Sequence, residues 1–317
     1  MFVLARPRGA LLIASLPLVG FGFALWERGS TVAPHVVAPE LGLLAAAWVV
    51  GHAGAMWLNA HLDRDHGPVL LGRAVAVPRS APLAGYLALA ASSALAWPLG
   101  PPTFACALAC AVLSVLYSHP RVALKGRPIG GPLVNGGGYG TLSPIAGFFA
   151  AEGVPTWRSA ASLALAVLFI LGTYFAAQAF QSDEDRQRGY RTLVVTHGPG
   201  WTLAVAHACL RASVLGMLAC ALFGAYPRAL LLTIPVWLLA ERHLEAWRRT
   251  PWVDRGGGLV ARLAGGVAAT IAAAYADHFW LLAQGRLGGG CGTAIVPTPS
   301  RSSAAEMKGR RQVGRSR

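Results

Sequence analysis

Two short stretches of this chain combine residue types that could do chemistry together. Residues 59–67 read NAHLDRDHG and residues 181–189 read QSDEDRQRG. Each has an amide residue, three residues, Asp-Arg, two more residues and Gly. Asn59, Asp63, Arg64 and Gly67 thus correspond to Gln181, Asp185, Arg186 and Gly189 at a constant offset of 122. Positions i and i+4 lie on one face of a helix, so each copy presents an amide and a carboxylate together. Asp65 stands in the first copy and Asp183 with Glu184 in the second, so the two loops hold five of the chain's 13 acids. Hard oxygen donors of this kind suit Mg2+, which commonly binds through one or two carboxylates plus substrate phosphates. Asn59, Asp63, Asp65, Gln181, Asp183 and Asp185 are therefore the candidate metal ligands. A solvated loop whose acids pair with Arg64, Arg186 and Arg188 is the plainer reading of either copy alone, and the duplicated skeleton weighs against it. Carboxylates at a helix C-terminal end oppose the macrodipole, so helix stability does not explain them.

The counterpart is a basic loop, SHPRVALKGRPIGG, holding Arg121, Lys125 and Arg127 and no acid. Arg121 and Lys125 are spaced i and i+4, so they could clamp a diphosphate as its charge develops. Arg64, Arg186 and Arg191, beside the acidic loops, are further candidates for binding an anionic substrate. Tyr117, Asn135 and Tyr139 flank the apolar cleft such a substrate would enter, and they read equally as interfacial or packing residues. Arg211 and Arg262 are mid-helix charges, functional candidates by default. His52 and His207 read as core or interface histidines with satisfied hydrogen bonds. Of the five cysteines, Cys106 and Cys110 share a helix face, but two thiols make a weak metal site and all five read as packing residues. No Ser/His/Asp triad, P-loop or four-ligand zinc pattern is present.

The elements that must position these residues are membrane spans. The 317 residues are 55% hydrophobic and 13% charged, against roughly 25% charged in a typical soluble domain. Residues 41–62, 80–120, 128–151 and 159–182 contain no Asp, Glu, Lys or Arg, and about 20 mostly apolar residues suffice to span a bilayer. The pattern predicts an all-α, polytopic membrane bundle of about nine helices: 9–26, 41–62, two within 80–120 broken at the prolines 98–102, then 132–151, 159–181, 201–223, 228–240 and 259–283. The two motifs close the second and sixth helices, so both lie on one side, and a parallel repeat of about four helices is consistent with that. With the N-terminus inside, the inner loops carry 15 basic residues and the outer loops three (Arg28, Arg158, Arg228), which puts the motifs in the cytoplasm by the positive-inside rule. That rule also accounts for the net charge of +14 without nucleic acid as a partner. Residues 1–284 form the expected transmembrane domain, and residues 285–317, rich in Gly, Ser, Pro and Arg, an expected disordered basic tail.

These features together resemble the UbiA superfamily of intramembrane prenyltransferases, over about residues 5–283. The first family motif, NDxxDxxxD, is similar to residues 59–67. The second, DxxxD followed by Gly and a TL pair, is similar to residues 181–198, with Gly189, Thr192 and Leu193 in place. The segment from Tyr117 and Arg121 through Lys125, Asn135 and Tyr139 is similar to the middle of chlorophyll- and tocopherol-type synthases, and Arg6-Pro7-Arg8 to a common family start. Ala60, Gly67 and Gln181 stand where the family usually has Asp. The resemblance implies nine helices in a cell inner membrane and Mg2+ bridging Asp63 and Asp185 to an isoprenyl diphosphate, with Asn59 and Gln181 as supporting ligands. It also implies transfer of the prenyl group to a lipophilic acceptor, aromatic or pigment-like among other classes. The rival expectation is a non-catalytic protein, either a transporter or a binder of isoprenoid lipid with a degenerate site.

Overall fold

The computed structural model describes residues 1–29, 34–63, 76–251 and 256–283. Arg64, Asp65, Gly67, the side chain of Asp63 and the expected tail lie outside the described residues. Every regular element among the described residues is helical: α1 (Pro7–Glu27), α2 (Pro34–Asp63), α3 (Ala81–Ala96), α4 (Pro101–Ser118), α5 (Gly130–Val134), α6 (Ser143–Ala150), α7 (Trp157–Phe180), α8 (Ser182–Gln187), α9 (Leu193–Leu222), α10 (Ile234–Arg249) and α11 (Gly256–Ala283). Among the described residues five helical runs are long and apolar enough to cross a membrane: Val37–Leu62, Ala81–Leu99, Pro101–Ser118, Trp157–Phe180 and Leu193–Leu222. The bundle carries its apolar side chains outside as well as inside. Leu83, Leu87, Leu215 and Leu222 are each more than 60% exposed, which a water-facing surface would not sustain and a hydrocarbon surface favours. Trp97 and Trp157, exposed at helix ends, suit the membrane interface.

Two buried clusters hold the bundle together. In one, Phe21, Leu44, Trp48, Ala107 and Ala146 join α1, α2, α4 and α6. In the other, Phe175, Leu203, Leu210, Trp237, Leu244 and Leu263 join α7, α9, α10 and α11. Helix association inside lipid relies on close packing of small residues, and α1 meets α6 in that way. A side chain at Gly20 or Gly147 would run into the backbone of Pro144 or Pro17.

Local chemistry sets four departures from the sequence expectation. The glycine-rich rod is not one α-helix, because residues Asn135–Leu142 between α5 and α6 are π-helical. The hydroxyls of Thr141 and Ser143 donate to the carbonyls of Gly136 and Gly138, at 2.9 Å each, which stabilises that wider turn. The helix ending in Phe180 stops at Gln181, and Asp183, Glu184 and Asp185 open the new helix α8. These acids therefore complement a helix N-terminus instead of opposing a C-terminus. Next, α9 starts at Leu193, ahead of the expected position, and bends at Gly198 (φ +83°) before Pro199; glycine tolerates that backbone, and proline cannot continue the preceding hydrogen-bond ladder. Finally, α10 continues past Ala240 to Arg249 because Arg248 and Arg249 bond Glu245 at 2.8 and 2.9 Å. Those hydrogen bonds hold the Glu245 carboxyl well below the usual carboxylate range, at about 2.

Candidate functional site

The last turns of α2 and α4 and the loop after α4 meet at Asn59. Its Oδ1 accepts from the Lys125 ammonium at 2.9 Å and from the Ser118 hydroxyl at 2.9 Å. A carboxamide oxygen has two lone pairs, so both are engaged, and Asn59 could bind a cation only if one donor left. Lys125 is 8% exposed, an ammonium drawn into the end of the bundle. The residues between Ser118 and α5 are a turn followed by a 3-10 turn at Leu124–Gly126. Arg121 and Lys125 therefore do not share a helix face, as their spacing had suggested. Arg121 is exposed on the turn, with its backbone N–H on His119 Nδ1 at 3.3 Å, and Arg127 is exposed beyond it.

The second copy folds around Asp185. Thr192, 1% exposed, donates its hydroxyl to Asp185 Oδ2 at 2.8 Å, and the Tyr190 amide donates to the Asp185 carbonyl at 3.0 Å. Gln181 caps α7 with its side chain half-buried. Asp183 faces outward and pairs with Arg186 at 3.4 Å, and Glu184 pairs with Arg188 at 2.6 Å. The first is the pairing expected of a solvated acid, and the second is half-buried.

One backbone bond ties the two halves. The Arg191 amide donates to the Gly126 carbonyl at 2.9 Å, which fixes the strand of chain beside Asp185 to the turn carrying Lys125. Gly126 makes this possible: a Cβ there would sit 2.7 Å from the Tyr190 ring. The basic loop is thus the hinge-point between the duplicated motifs. Among the described residues no group of three or more His, Cys, Asp and Glu is assembled for a metal.

A second layer lies beneath the junction. The Tyr174 hydroxyl packs on the Cα of Gly131, where any side chain would collide with it, and receives a hydrogen bond from Gln178 Nε2. Gln178 Oε1 is buried without a partner among the described residues. Tyr174 lies within electrostatic reach of Tyr117 and Asp185, so Tyr117 belongs to this layer. Asn135 spends its amide N–H on the Gly131 carbonyl at 2.9 Å, and Tyr139 lies in the π-helical segment within reach of Arg6. Deeper still, an apolar cavity of about 380 Å3 is lined by Leu16, Phe23, Phe149, Phe169, Met217 and Ile271, among others.

Ser118, Tyr174, Gln178 and Thr192 were not singled out as site residues from sequence. Gln178 and Thr192 carried a usable signal. Gln178 precedes Gln181 by three positions on the same helix, and Thr192 follows Asp185 within the motif. Ser118 is placed by tertiary packing alone.

A family model for UbiA prenyltransferases matches residues 15–254. The chain belongs to the UbiA prenyltransferase family. Sequence comparison with curated proteins finds no match. Among solved structures, a UbiA homologue from Archaeoglobus fulgidus bound to GPP and Mg2+ is similar at 20% identity and a TM-score of 0.61, covering 87% of this chain and 98% of that one. The same homologue bound to DMAPP and Mg2+ gives 19% identity and a TM-score of 0.62, with the same coverage. The apo UbiA homologue from Aeropyrum pernix K1 gives 20% identity and a TM-score of 0.57 over 86% of this chain and 97% of that one. This UbiA-family chain is therefore a multi-pass integral membrane protein with the shared fold.

Proposed function

We propose that this protein transfers a prenyl group from an isoprenyl diphosphate to a lipophilic acceptor inside the membrane, in a Mg2+-dependent reaction. The observation that carries this reading is the joining of the Lys125–Asn59–Ser118 node to the Asp185–Thr192 pair through the Arg191–Gly126 bond. The family match and the ligands of the Archaeoglobus fulgidus homologue support it. Asp63 and Asp185 would hold Mg2+, with Gln181 and, once vacated, Asn59 as neutral oxygen donors; Asp183 is exposed against Arg186, and Asp65 would add a further carboxylate from the first motif. The metal supplies charge stabilisation to the departing diphosphate.

The chain's own residues do the rest. Lys125 exchanges Asn59 for a diphosphate oxygen, and a desolvated ammonium interacts more strongly there than in water. Arg121, Arg127, Arg186 and Arg191 form an outer basic rim that draws the anion in, and Arg64, outside the described residues, would add its charge from the first motif. Thr192 holds one Asp185 oxygen so that the other is presented to the metal. The allylic C–O bond breaks with its electron pair leaving on diphosphate, and the apolar interior excludes water from the resulting cation. The prenyl tail runs down toward the deep cavity. The motif side faces the cytoplasm, and the membrane is the cell's inner membrane, in keeping with the basic inner loops. Asp63→Asn and Asp185→Asn should each abolish Mg2+-dependent consumption of geranylgeranyl diphosphate in proteoliposomes containing native lipid extract. Turnover near wild type in both variants would remove these residues from the site. A non-catalytic binder of isoprenoid diphosphate is the second reading, favoured by Ala60, Gly67 and Gln181 standing where the family usually has Asp; it predicts binding without diphosphate release.

A further inference from the structure

The face of α9 that turns away from the bundle differs from an ordinary lipid-facing surface. Trp201, Ala204, Ala208, Arg211, Leu215 and Leu222 are all exposed along it. Their spacing alternates between three and four residues up to Leu215, and Leu222 follows one heptad later. That is the 3.5-residue seam along which helices pair side by side. A face that meets only acyl chains needs apolar bulk, as exposed Leu83 and Leu87 supply on α3. Here two adjacent seam positions are alanine, and small residues four apart let helices approach closely within lipid. The next position is an arginine.

Arg211 lies far from either end of its span. At 1.5 Å per residue it is about 16 Å from Leu222 and about 18 Å from the bend before Pro199. Charges within spans almost always face the bundle interior or a water-filled cavity, yet the Arg211 side chain is 55% exposed. Its pairing is also incomplete. Arg211 Nε donates to Glu241 Oε1 at 2.7 Å, Arg211 Nη2 lies against the same oxygen, and His207 Nε2 meets it at 2.7 Å. Glu241 Oε2 and Arg211 Nη1 make no hydrogen bond among the described residues, which leaves one charged acceptor beside one charged donor. Next to them an apolar groove of about 240 Å3 runs between α9 and α10, lined by Leu215, Leu218, Ile234 and Leu238 among others.

We infer that this face of α9, with the groove beside it, is the interface for a second copy of the chain. A twofold contact is self-complementary, so Arg211 reaches the partner subunit's Glu241 while Glu241 receives the partner subunit's Arg211. The adjacent donor and acceptor are what such an exchange requires. An acyl chain could fill the groove, but it has no group to match either of them. The guanidinium fork can serve two carboxylates together, which an ammonium does less well. Both copies share one orientation in the membrane, so the two α9 helices run parallel and the alanines set their closest approach. The single charged seam position then fixes the register, as a polar residue does in a coiled coil. This pairing is independent of the prenyl-transfer reading.

The test reconstitutes the full-length chain, labelled at its N-terminus, into liposomes over a wide range of protein-to-lipid ratios and counts photobleaching steps per particle. The wild type should pass from one chain to two as its density rises, with no larger assembly. Ala208→Trp, which wedges the seam, should raise the midpoint density about tenfold. Ala90→Trp, at an exposed alanine of α3, should leave it unchanged. Arg211→Leu should raise the midpoint about 30-fold, as loss of one partner of a buried charge pair does, and Arg211→Lys should recover part of that. Thermal melts at the lowest density, where every variant is a single chain, separate loss of pairing from loss of fold: Ala208→Trp should melt there as the wild type does. A wild type that remains a single chain at every density would overturn the inference and leave the groove to lipid. So would an unchanged midpoint in Ala208→Trp or in Arg211→Leu, because the copies would then meet through another face.

Discussion

Lys125→Met is the perturbation that separates a structural lysine from a diphosphate ligand. The methionine keeps most of the aliphatic stem and removes the ammonium that bonds Asn59 Oδ1 at 2.9 Å. Asn59 still has the Ser118 hydroxyl at 2.9 Å, so its oxygen is not orphaned, and the Lys125–Asn59 bond itself contributes about 1.5–3 kcal/mol as one hydrogen bond to a charged group. Binding of an isoprenyl diphosphate should suffer more. Losing one partner of a desolvated, hydrogen-bonded charge pair costs about 2–5 kcal/mol, or roughly 30-fold to 4,000-fold in affinity. Arg121→Ala provides the contrast. Its guanidinium sits on an exposed turn, where a charge contact is worth about 0.2–1 kcal/mol, a loss of at most about fivefold. Isothermal titration of geranylgeranyl diphosphate at fixed Mg2+, with thermal melts of each apo variant as a folding control, reads both. Wild-type affinity in Lys125→Met, or a larger loss in Arg121→Ala, would show that the buried ammonium serves the fold alone.

Three further outcomes follow from named contacts. Thr192→Val removes the hydroxyl that orients Asp185, and loss of such an orienting bond typically weakens metal affinity about 10–100-fold; the Mg2+ concentration giving half-maximal stabilisation by diphosphate should rise accordingly, and an unchanged value would free Asp185 of the metal. Gly131→Ala forces a methyl group onto the Tyr174 hydroxyl and should cost about 1–3 kcal/mol as overpacking does, with Tyr174→Phe/Gly131→Ala recovering part of it in thermal melts. Arg211 and His207 both bond Glu241 between α9 and α10, so Glu241→Leu, which strands both partners, should lower the melting temperature more than Arg211→Leu, which leaves Glu241 its His207 contact; equal losses would mean that the network is solvated.

The bundle was legible because composition carries it. Uncharged runs of bilayer length cannot be loops in hydrocarbon, and the prolines at 98–102 and the charged loops punctuated them near the observed ends. The duplicated skeleton likewise pointed to the right two helix ends. What sequence spacing could not convey was backbone geometry between the spans. Arg121 and Lys125 looked like a helical pair, and a 3-10 turn sends one outward and the other inward. Asp183 to Asp185 looked like a helix end, and a break at Gln181 makes them a helix start. Ser118 joins the site through a contact between distant segments, which periodicity does not encode. The expectation for His52 fails for a similar reason: a core histidine is satisfied only where a partner stands opposite it, as Glu241 does for His207, and both His52 ring nitrogens are buried without a partner among the described residues.

The central claim is that the two motifs and the basic loop form one site for Mg2+ and an isoprenyl diphosphate. Thermal stability of the detergent-purified protein, titrated with Mg2+ at fixed geranylgeranyl diphosphate, tests it without knowledge of the acceptor, because a ligand of the folded state raises stability by mass action. The account predicts a rise that needs both ligands together and disappears in Asp63→Asn and in Asp185→Asn. A rise with diphosphate alone that survives both substitutions, or none with any prenyl chain length, would contradict it.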